Sequence, residues 1–268
     1  MGSGNTEKLL QPLFFDFKVI QNDVTMRFTH IFCRKYAFTS LFFFSFLFLV
    51  LSGFMQGKNI LSPNQFFPGK DSLIITLPKE GRLMDGKPVG KHWVNLLNSQ
   101  AGWNMDTSAY TMSRGRLHGD YFGGKFHNFA WTKKVYKNFE LQALVKMSGK
   151  DANSGVCIRI NPINADNAPG YQVDMGEGFW GCLWEEKRAG MVQKFPNDLA
   201  AKLVKQNDWN HYYIKARGHH IEAWLNGVKT IDIVHTEGYE EGSIGFQLCH
   251  GDKHTILDVQ SLYIKEIN

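Results

Sequence analysis

Residues 73–268 predict an all-β protein, a β-sandwich of jelly-roll type. Three observations point there. Short runs alternate apolar and polar residues with the period of two that a half-buried strand requires. Glycine and Asn-Gly pairs punctuate these runs. Only "PNDLAAKLV" reads as a helix, with Asn197 or Asp198 as its expected N-cap. Many short strands with regular turns, and no internal repeat, fit stacked antiparallel sheets.

The N-terminal region reads differently. Residues 36–57 carry no charge, and their centre, "LFFFSFLFLVL", holds one serine. Arg27, Arg34 and Lys35 precede this run, and Ser52 and Gly53 follow it. A positive flank, a short apolar run and small exit residues describe a secretory signal peptide. A retained membrane anchor is the alternative, because about 20 uncharged residues can span a bilayer. Residues 1–57 are therefore read as an extension plus signal peptide or anchor, 58–72 as a linker, and 73–268 as one domain. The expected location is the periplasm or cell exterior, with membrane contact only through an uncleaved N-terminal segment.

A net charge of +5 over 268 residues, with no long Lys/Arg run, argues against a nucleic-acid partner. Cys157, Cys182 and Cys249 remain once Cys33 is assigned to the leader, an odd number with no CxxC pair. Buried free thiols are expected, and a disulfide among them is the alternative. No GxSxG elbow, P-loop, strand-borne GxGxxG or EF-hand loop occurs.

The strand candidates run in order: "FELQALVKM", "SGVCIRIN", "GYQVDMG", "WNHYYIKARG", "HHIEAWLNG", "VKTIDIV", "GSIGFQLCH" and "TILDVQSLYIKEI". "LNGVKTI" is the clearest hairpin, with Asn226-Gly227 as a two-residue turn. Alternation assigns faces. Tyr171, Val173 and Met175 oppose Gln172 and Asp174. Val156, Ile158 and Ile160 oppose Cys157, Arg159 and Asn161. Ile221, Ala223 and Leu225 oppose His220, Glu222, Trp224 and Asn226. Ile244, Phe246 and Leu248 oppose Gln247. One sheet is thus expected to show a second face bearing Gln, Asp, Arg, Glu and Trp. Aromatic rings stack on the C–H face of a pyranose while amides and carboxylates bind its hydroxyls, so such a face suits a sugar. A plain solvated sheet face is the alternative.

Several motifs recur together: "NSGV", "GYQVD", "WGCLWEE", "WN" before a strand, "WLNG", and "IGFQLCHG" before "LYIKEI". With them, residues 92–268 resemble the 3-keto-disaccharide hydrolase family, which has a concanavalin A-like lectin/glucanase jelly roll. The opening "KHWVNLLNSQAGWNM" matches that family only loosely. The resemblance implies cleavage of glycosides oxidised to a ketone at carbon 3. That ketone acidifies the carbon-2 proton, a base removes it, and the carbon-1 aglycone leaves by β-elimination; water then adds. Such a site needs a base, an acid and a positive group or metal at the enolate oxygen. It also implies a separate sugar 3-oxidoreductase upstream, since this chain has no dinucleotide fingerprint.

The catalytic candidates are Asp174, Glu185, Arg188 and His250. Asp174 is a base or metal ligand, or else a surface carboxylate. Consecutive strand residues point to opposite faces, so at most one of Glu185 and Glu186 faces the site, and Glu185 is the one preferred. Arg188 is the cation over the enolate or a salt-bridge partner of the acids, and His250 falls in a family motif. Gln172, Gln247, Asn153 and Arg159 are candidate hydroxyl partners; Trp180, Trp184 and Trp224 are candidate stacking platforms or structural plugs. No cofactor is indicated by motif; a divalent metal assembled across strands stays open, since neither HExxH nor HxH is present. Convergence of Asp174, Glu185, Arg188 and His250 in one pocket would support catalysis, and their scatter would remove it. The rivals are a lectin-like binding module and a conventional glycoside hydrolase with two facing carboxylates.

Overall fold

The computed structural model describes residues 74–268. The leader and linker assigned above lie outside the described residues. In chain order the strands are β1 (Leu83–Met84), β2 (Lys87–Pro88), β3 (Val94–Asn95), β4 (Trp103–Asn104), β5 (Tyr110–Ser113), β6 (Arg116–Tyr121), β7 (Asn128–Tyr136), β8 (Phe139–Ser148) and β9 (Asn153–Ile160). They continue as β10 (Gly170–Gly176), β11 (Leu183–Glu186) and β12 (Gly190–Gln193), then a helix α1 (Asn197–Leu203). The last five are β13 (Asn210–Arg217), β14 (His220–Leu225), β15 (Val228–Val234), β16 (Gly242–Leu248) and β17 (Thr255–Glu266).

Two antiparallel sheets form a jelly-roll sandwich of the concanavalin A-like type. One has seven strands in the order β12-β11-β10-β9-β16-β7-β4; the other has eight, in the order β15-β14-β13-β8-β17-β6-β5. Late strands enter the middle of both sheets. β16 lies between β9 and β7, and β17 between β8 and β6, so long-range pairs tie the C-terminal third to the centre. Alternation fills the space between the sheets. Val156, Ile158, Tyr171, Val173, Met175, Ile244, Phe246 and Leu248 come from the seven-stranded sheet. They meet Phe139, Leu141, Val145, Tyr212, Ile214, Ile221 and Leu257 from the other, all fully or nearly fully buried.

The predicted hairpin is present. Asn226 and Gly227 have φ values of 49° and 93°, the left-handed pair that a type I′ turn needs. The Asn226 amide also donates to Leu203 O at 3.0 Å, tying the end of α1 to this turn. The helix cap differs from expectation. Pro196 takes the cap position with no side-chain bond, and Asn197 and Asp198 lie inside the first turn. Cys157, Cys182 and Cys249 are free and buried. Among the described residues no helix is long and apolar enough to cross a membrane.

The expected polar face divides between two sheets. Gln172, Asp174 and Gln247 belong to the seven-stranded sheet, whereas Glu222 and Trp224 are on β14 of the other. A register shift between Ala223 and Trp224 accompanies the burial of that indole. Its ring lies 5.1 Å from Tyr213, and its N–H donates to Thr76 Oγ1 at 3.2 Å. Trp224 is therefore a brace for the segment entering the domain and is not a stacking platform on the polar face.

Arg159 also departs from the alternation. Its φ is +51°, and the β9–β16 register slips at this point. Gly170 and Gly242 flank the bulge, where an added Cβ would fall 2.6 Å from Arg159 O and 2.3 Å from Arg159 C. The guanidinium is turned away from the face of Gln172. It is fully buried and spans three turns, donating to Lys137 O (3.0 and 2.6 Å), Gly218 O (2.7 Å) and Tyr239 O (3.3 Å). Arg159 thus pins one end of the sandwich and is removed from the sugar-binding candidates.

Candidate functional site

The side of the seven-stranded sheet opposite the core carries a connected polar cluster. Register sets Gln172 between Cys157 of β9 and Trp184 of β11, and Asp174 opposite Gly155. Gly155 in turn adjoins Gln247 of β16. The missing side chain at Gly155 is what lets Gln172 lie across the sheet: a Cβ there would fall 2.2 Å from Gln172 Cγ.

Two amides link two carboxylates. Gln172 Nε2 donates to Asp174 Oδ1, and also lies 3.3 Å from Gln247 Oε1. Gln247 Nε2 donates to Glu186 Oε1 at 3.1 Å. Cys157 Sγ donates to Gln172 Oε1 at 3.4 Å. Burial pushes Asp174 well above the usual carboxylate range; the Gln172 hydrogen bond opposes this, and the charge of Glu186 adds to it. Glu186 is also raised by burial, with Gln247, Lys187 and His250 pulling the other way. Burial lifts the Cys157 thiol, which stays a protonated donor. Two carboxyl groups in unequal surroundings on one face are suited to divide proton donation from proton acceptance.

The expected catalytic quartet does not converge. Glu185 pairs in register with Tyr171 and lies on the core side of β11. There it is fully buried, accepting Arg188 Nε at 2.7 Å, with a second guanidinium nitrogen 2.7 Å from its other oxygen. Arg188 also lies 3.8 Å from Glu237. These two residues form a structural ion pair, so that set is dropped as a catalytic group. Glu186, one residue on, takes the place assigned to Glu185. The reason is the period of two: Trp184 pairs with Gln172 on the open face, so Glu186 shares that face and Glu185 cannot.

Aromatic side chains border the cluster. Trp184 stands over Gly190, whose added Cβ would be 3.5 Å from the indole, and meets Phe179 edge-on at 6.5 Å. On the other side are Phe129 and Trp131 of β7, in register with Gln247 and Gly245. Phe129, Cys157, Ile160 and Ala168 form a small apolar cluster separate from the main core, with Trp131 packed against it. His127 and His250 follow along the same border, with their Nδ1 atoms 3.3 Å apart. Burial and the neighbouring His250 lower His127 to about 4, so it is neutral at physiological pH.

A cavity of about 870 Å³ opens past the ends of β9 and β10, lined in part by Asn153, Glu177, Phe179, Trp180 and Lys253. Asn153 reaches it from the start of β9, packed over Gly176. Trp180 is 8% exposed and belongs to the core, closing the end of the sandwich while edging this cavity. Neither residue touches the amide–carboxylate cluster by hydrogen bond. Sequence reasoning missed His127, Phe129 and Trp131 because β7 was not among its strands. The signal was there in "HNFAWT", where these three alternate with Asn128, Ala130 and Thr132.

Residues 83–264 match the family described as the 3-keto-alpha-glucoside-1,2-lyase-like domain. The chain belongs to this family. Membership makes it a protein of carbohydrate-active type. Among solved structures, a Parabacteroides distasonis protein provisionally assigned as a glycosyl hydrolase is 22% identical. The match covers 66% of this chain and 100% of that one, with a TM-score of 0.49. A second such protein from that organism is 18% identical over 66% and 94% of the two chains, with a TM-score of 0.48. A carbohydrate-binding module from Bacillus subtilis is 14% identical over 58% and 91%, with a TM-score of 0.46. A comparison with curated proteins finds no match.

Proposed function

We propose that the chain cleaves 3-keto-glycosides at the Asp174–Glu186 cluster, by elimination across carbons 1 and 2 followed by hydration. The observation that carries this reading is the pair of carboxyl groups, raised in pKa by burial and joined through Gln172 and Gln247. The description of the matching family supports this substrate class.

Glu186 is the more accessible acid and serves as the base. It takes the proton from carbon 2, the electron pair moves into the enolate of the carbon-3 ketone, and the bond from carbon 1 to the leaving oxygen breaks. Asp174, the more deeply buried acid, holds its proton and delivers it to that oxygen. Water then adds across the carbon 1–carbon 2 double bond, so the net change is hydrolysis. An unoxidised glycoside lacks the acidified carbon-2 proton and would not react by this route. Trp184 and Trp131 supply stacking faces. Export through the N-terminal apolar segment, to a compartment where oxidised sugars are supplied by a separate oxidoreductase, belongs to the same proposal.

The test is turnover of a 3-keto-glucoside beside its unoxidised parent, for the parent protein and for Glu186→Gln. The proposal requires reaction of the keto sugar alone and its loss in the variant. Tight binding of both sugars with no turnover would instead make the chain a carbohydrate-binding module. Turnover of the unoxidised sugar alone would make it a conventional glycosidase.

A further inference from the structure

At the border of the open face, His127, Cys249 and His250 bring two imidazole nitrogens and a sulfur within 4.8 Å of one another. We propose that these three side chains bind a zinc ion. The inference does not rest on the sugar reading; it rests on geometry and on the chemistry of the donors.

Zinc is bound tetrahedrally at about 2.0–2.1 Å from nitrogen and about 2.3 Å from sulfur. In a tetrahedron those lengths put two nitrogens about 3.3 Å apart and nitrogen and sulfur about 3.6 Å apart. The Nδ1 atoms of His127 and His250 are 3.3 Å apart, and Cys249 Sγ is 3.8 Å from His250 Nδ1. Two edges of the polyhedron are therefore preformed to within a few tenths of an ångström. His127 Nδ1 accepts the His250 backbone N–H at 3.3 Å, so this nitrogen is unprotonated, and that hydrogen bond has to give way when it ligates. A neutral Nδ1–H tautomer of His250 puts a proton between the two facing nitrogens, and a cation is the other bridge that fits there. The thiol beside them suits a borderline-soft cation.

The backbone holds the donors in place. Cys249 N–H donates to Asn153 O at 3.2 Å, which fixes the end of β16 against β9. His127 N–H donates to Asp166 Oδ1 at 2.8 Å, which fixes the loop before β7. Gly124 and Gly251 pair across the two loops that carry the histidines. His250 is exposed and His127 half-buried, so an ion can enter from solvent. Three protein ligands leave a fourth position open, the arrangement of reactive rather than purely structural zinc. The surrounding charge is mixed: Glu186 and Asp174 act electrostatically on Cys249 and Glu186 on His250, while Lys253 acts on Cys249 and, with Lys187, on His127. A zinc ion there supplies a Lewis acid on the same face as the two carboxylates.

Among the described residues a second group of ligand type, His220, Glu222 and Asp232, already encloses a cation. Lys229 Nζ lies 2.6 Å from Glu222 and 2.7 Å from Asp232. The contrast favours the histidine–cysteine group, which encloses no lysine ammonium.

The test uses the full chain, freed of metal by chelator and titrated with Co²⁺ and then Zn²⁺. One equivalent of Co²⁺ should produce a thiolate-to-cobalt charge-transfer band and the intense visible bands of tetrahedral cobalt, and Zn²⁺ should bleach both. Cys249→Ser should lose the charge-transfer band, and His127→Ala should weaken Co²⁺ at least about ten-fold. Zn²⁺ should raise the unfolding midpoint of the parent and not that of Cys249→Ser. The parent spectrum decides the matter even if a variant fails to fold: no charge-transfer band overturns the proposal. A band that survives in folded Cys249→Ser overturns it equally, since it would come from another thiol.

Discussion

Replacing Arg159 with alanine should weaken the domain while leaving sugar recognition intact. The magnitude follows from what the guanidinium holds. It donates to Lys137 O at 3.0 and 2.6 Å, to Gly218 O at 2.7 Å and to Tyr239 O at 3.3 Å. A hydrogen bond from a charged donor contributes about 1.5–3 kcal/mol net, and a buried carbonyl left without a partner costs about 1–3 kcal/mol. Water entering the gap recovers part of this. Taking only the two closest carbonyls at the low end gives a loss of about 3–5 kcal/mol. In a domain of this size each kcal/mol moves the melting temperature by about 2–4 °C, so the expected fall is about 6–20 °C. Urea unfolding should show a lower midpoint at an unchanged slope. Arg159→Lys should fall between, because a single ammonium cannot fork to three turns. A stability loss under about 1 kcal/mol, together with weakened sugar binding, would refute the reasoning and return Arg159 to the site.

Three further expectations bear on the cluster itself. Glu185→Gln should cost about 2 kcal/mol of stability through the loss of its Arg188 pair, yet keep turnover per folded molecule, whereas Glu186→Gln should do the reverse; kinetics with parallel denaturation separate the two. Gly155→Ala should push Gln172 off its position, at a cost of about 1–3 kcal/mol from overpacking, and lower kcat more than it raises KM. Asp174→Asn should abolish turnover and stabilise the fold increasingly as pH rises. Burial raises the folded pKa of Asp174, so its contribution is fullest below the unfolded value of about 4 and is lost as pH climbs through the folded one. The amide has no such loss, and urea midpoints at pH 4 and pH 8 should show the larger gain at pH 8; an equal change at both would count against a raised Asp174.

The parts of the fold that were legible are those governed by the period of two. β10 reads correctly because Tyr171, Val173 and Met175 alternate without interruption, and the same rule puts Gln172 and Asp174 together on the side away from the main core, where both are nonetheless buried. The Asn226-Gly227 turn reads correctly because only a left-handed pair fits it. Alternation says nothing about which sheet a strand joins. Trp224 and Gln172 were therefore placed on one face, although β14 and β10 belong to different sheets. It also fails silently at a bulge, as at Arg159, where the strand keeps its place and the side chain changes direction.

The choice between Glu185 and Glu186 shows what a longer count could have decided. The strand is short and begins at a glycine-rich turn, so its phase cannot be taken from its own four residues. It can be taken from Leu183, a large aliphatic that has to enter the core next to Cys182 and Val173. Leu183 inward sets Trp184 outward, Glu185 inward and Glu186 outward. An inward carboxylate then requires a partner, and Arg188, three residues on, is the nearest cation that can turn back to reach it. The two glutamates thus have separate tasks imposed by one strand: the first is tied to an arginine beneath the sheet, and the second stays free to bind Gln247 on the face where the aromatic walls and the histidines stand.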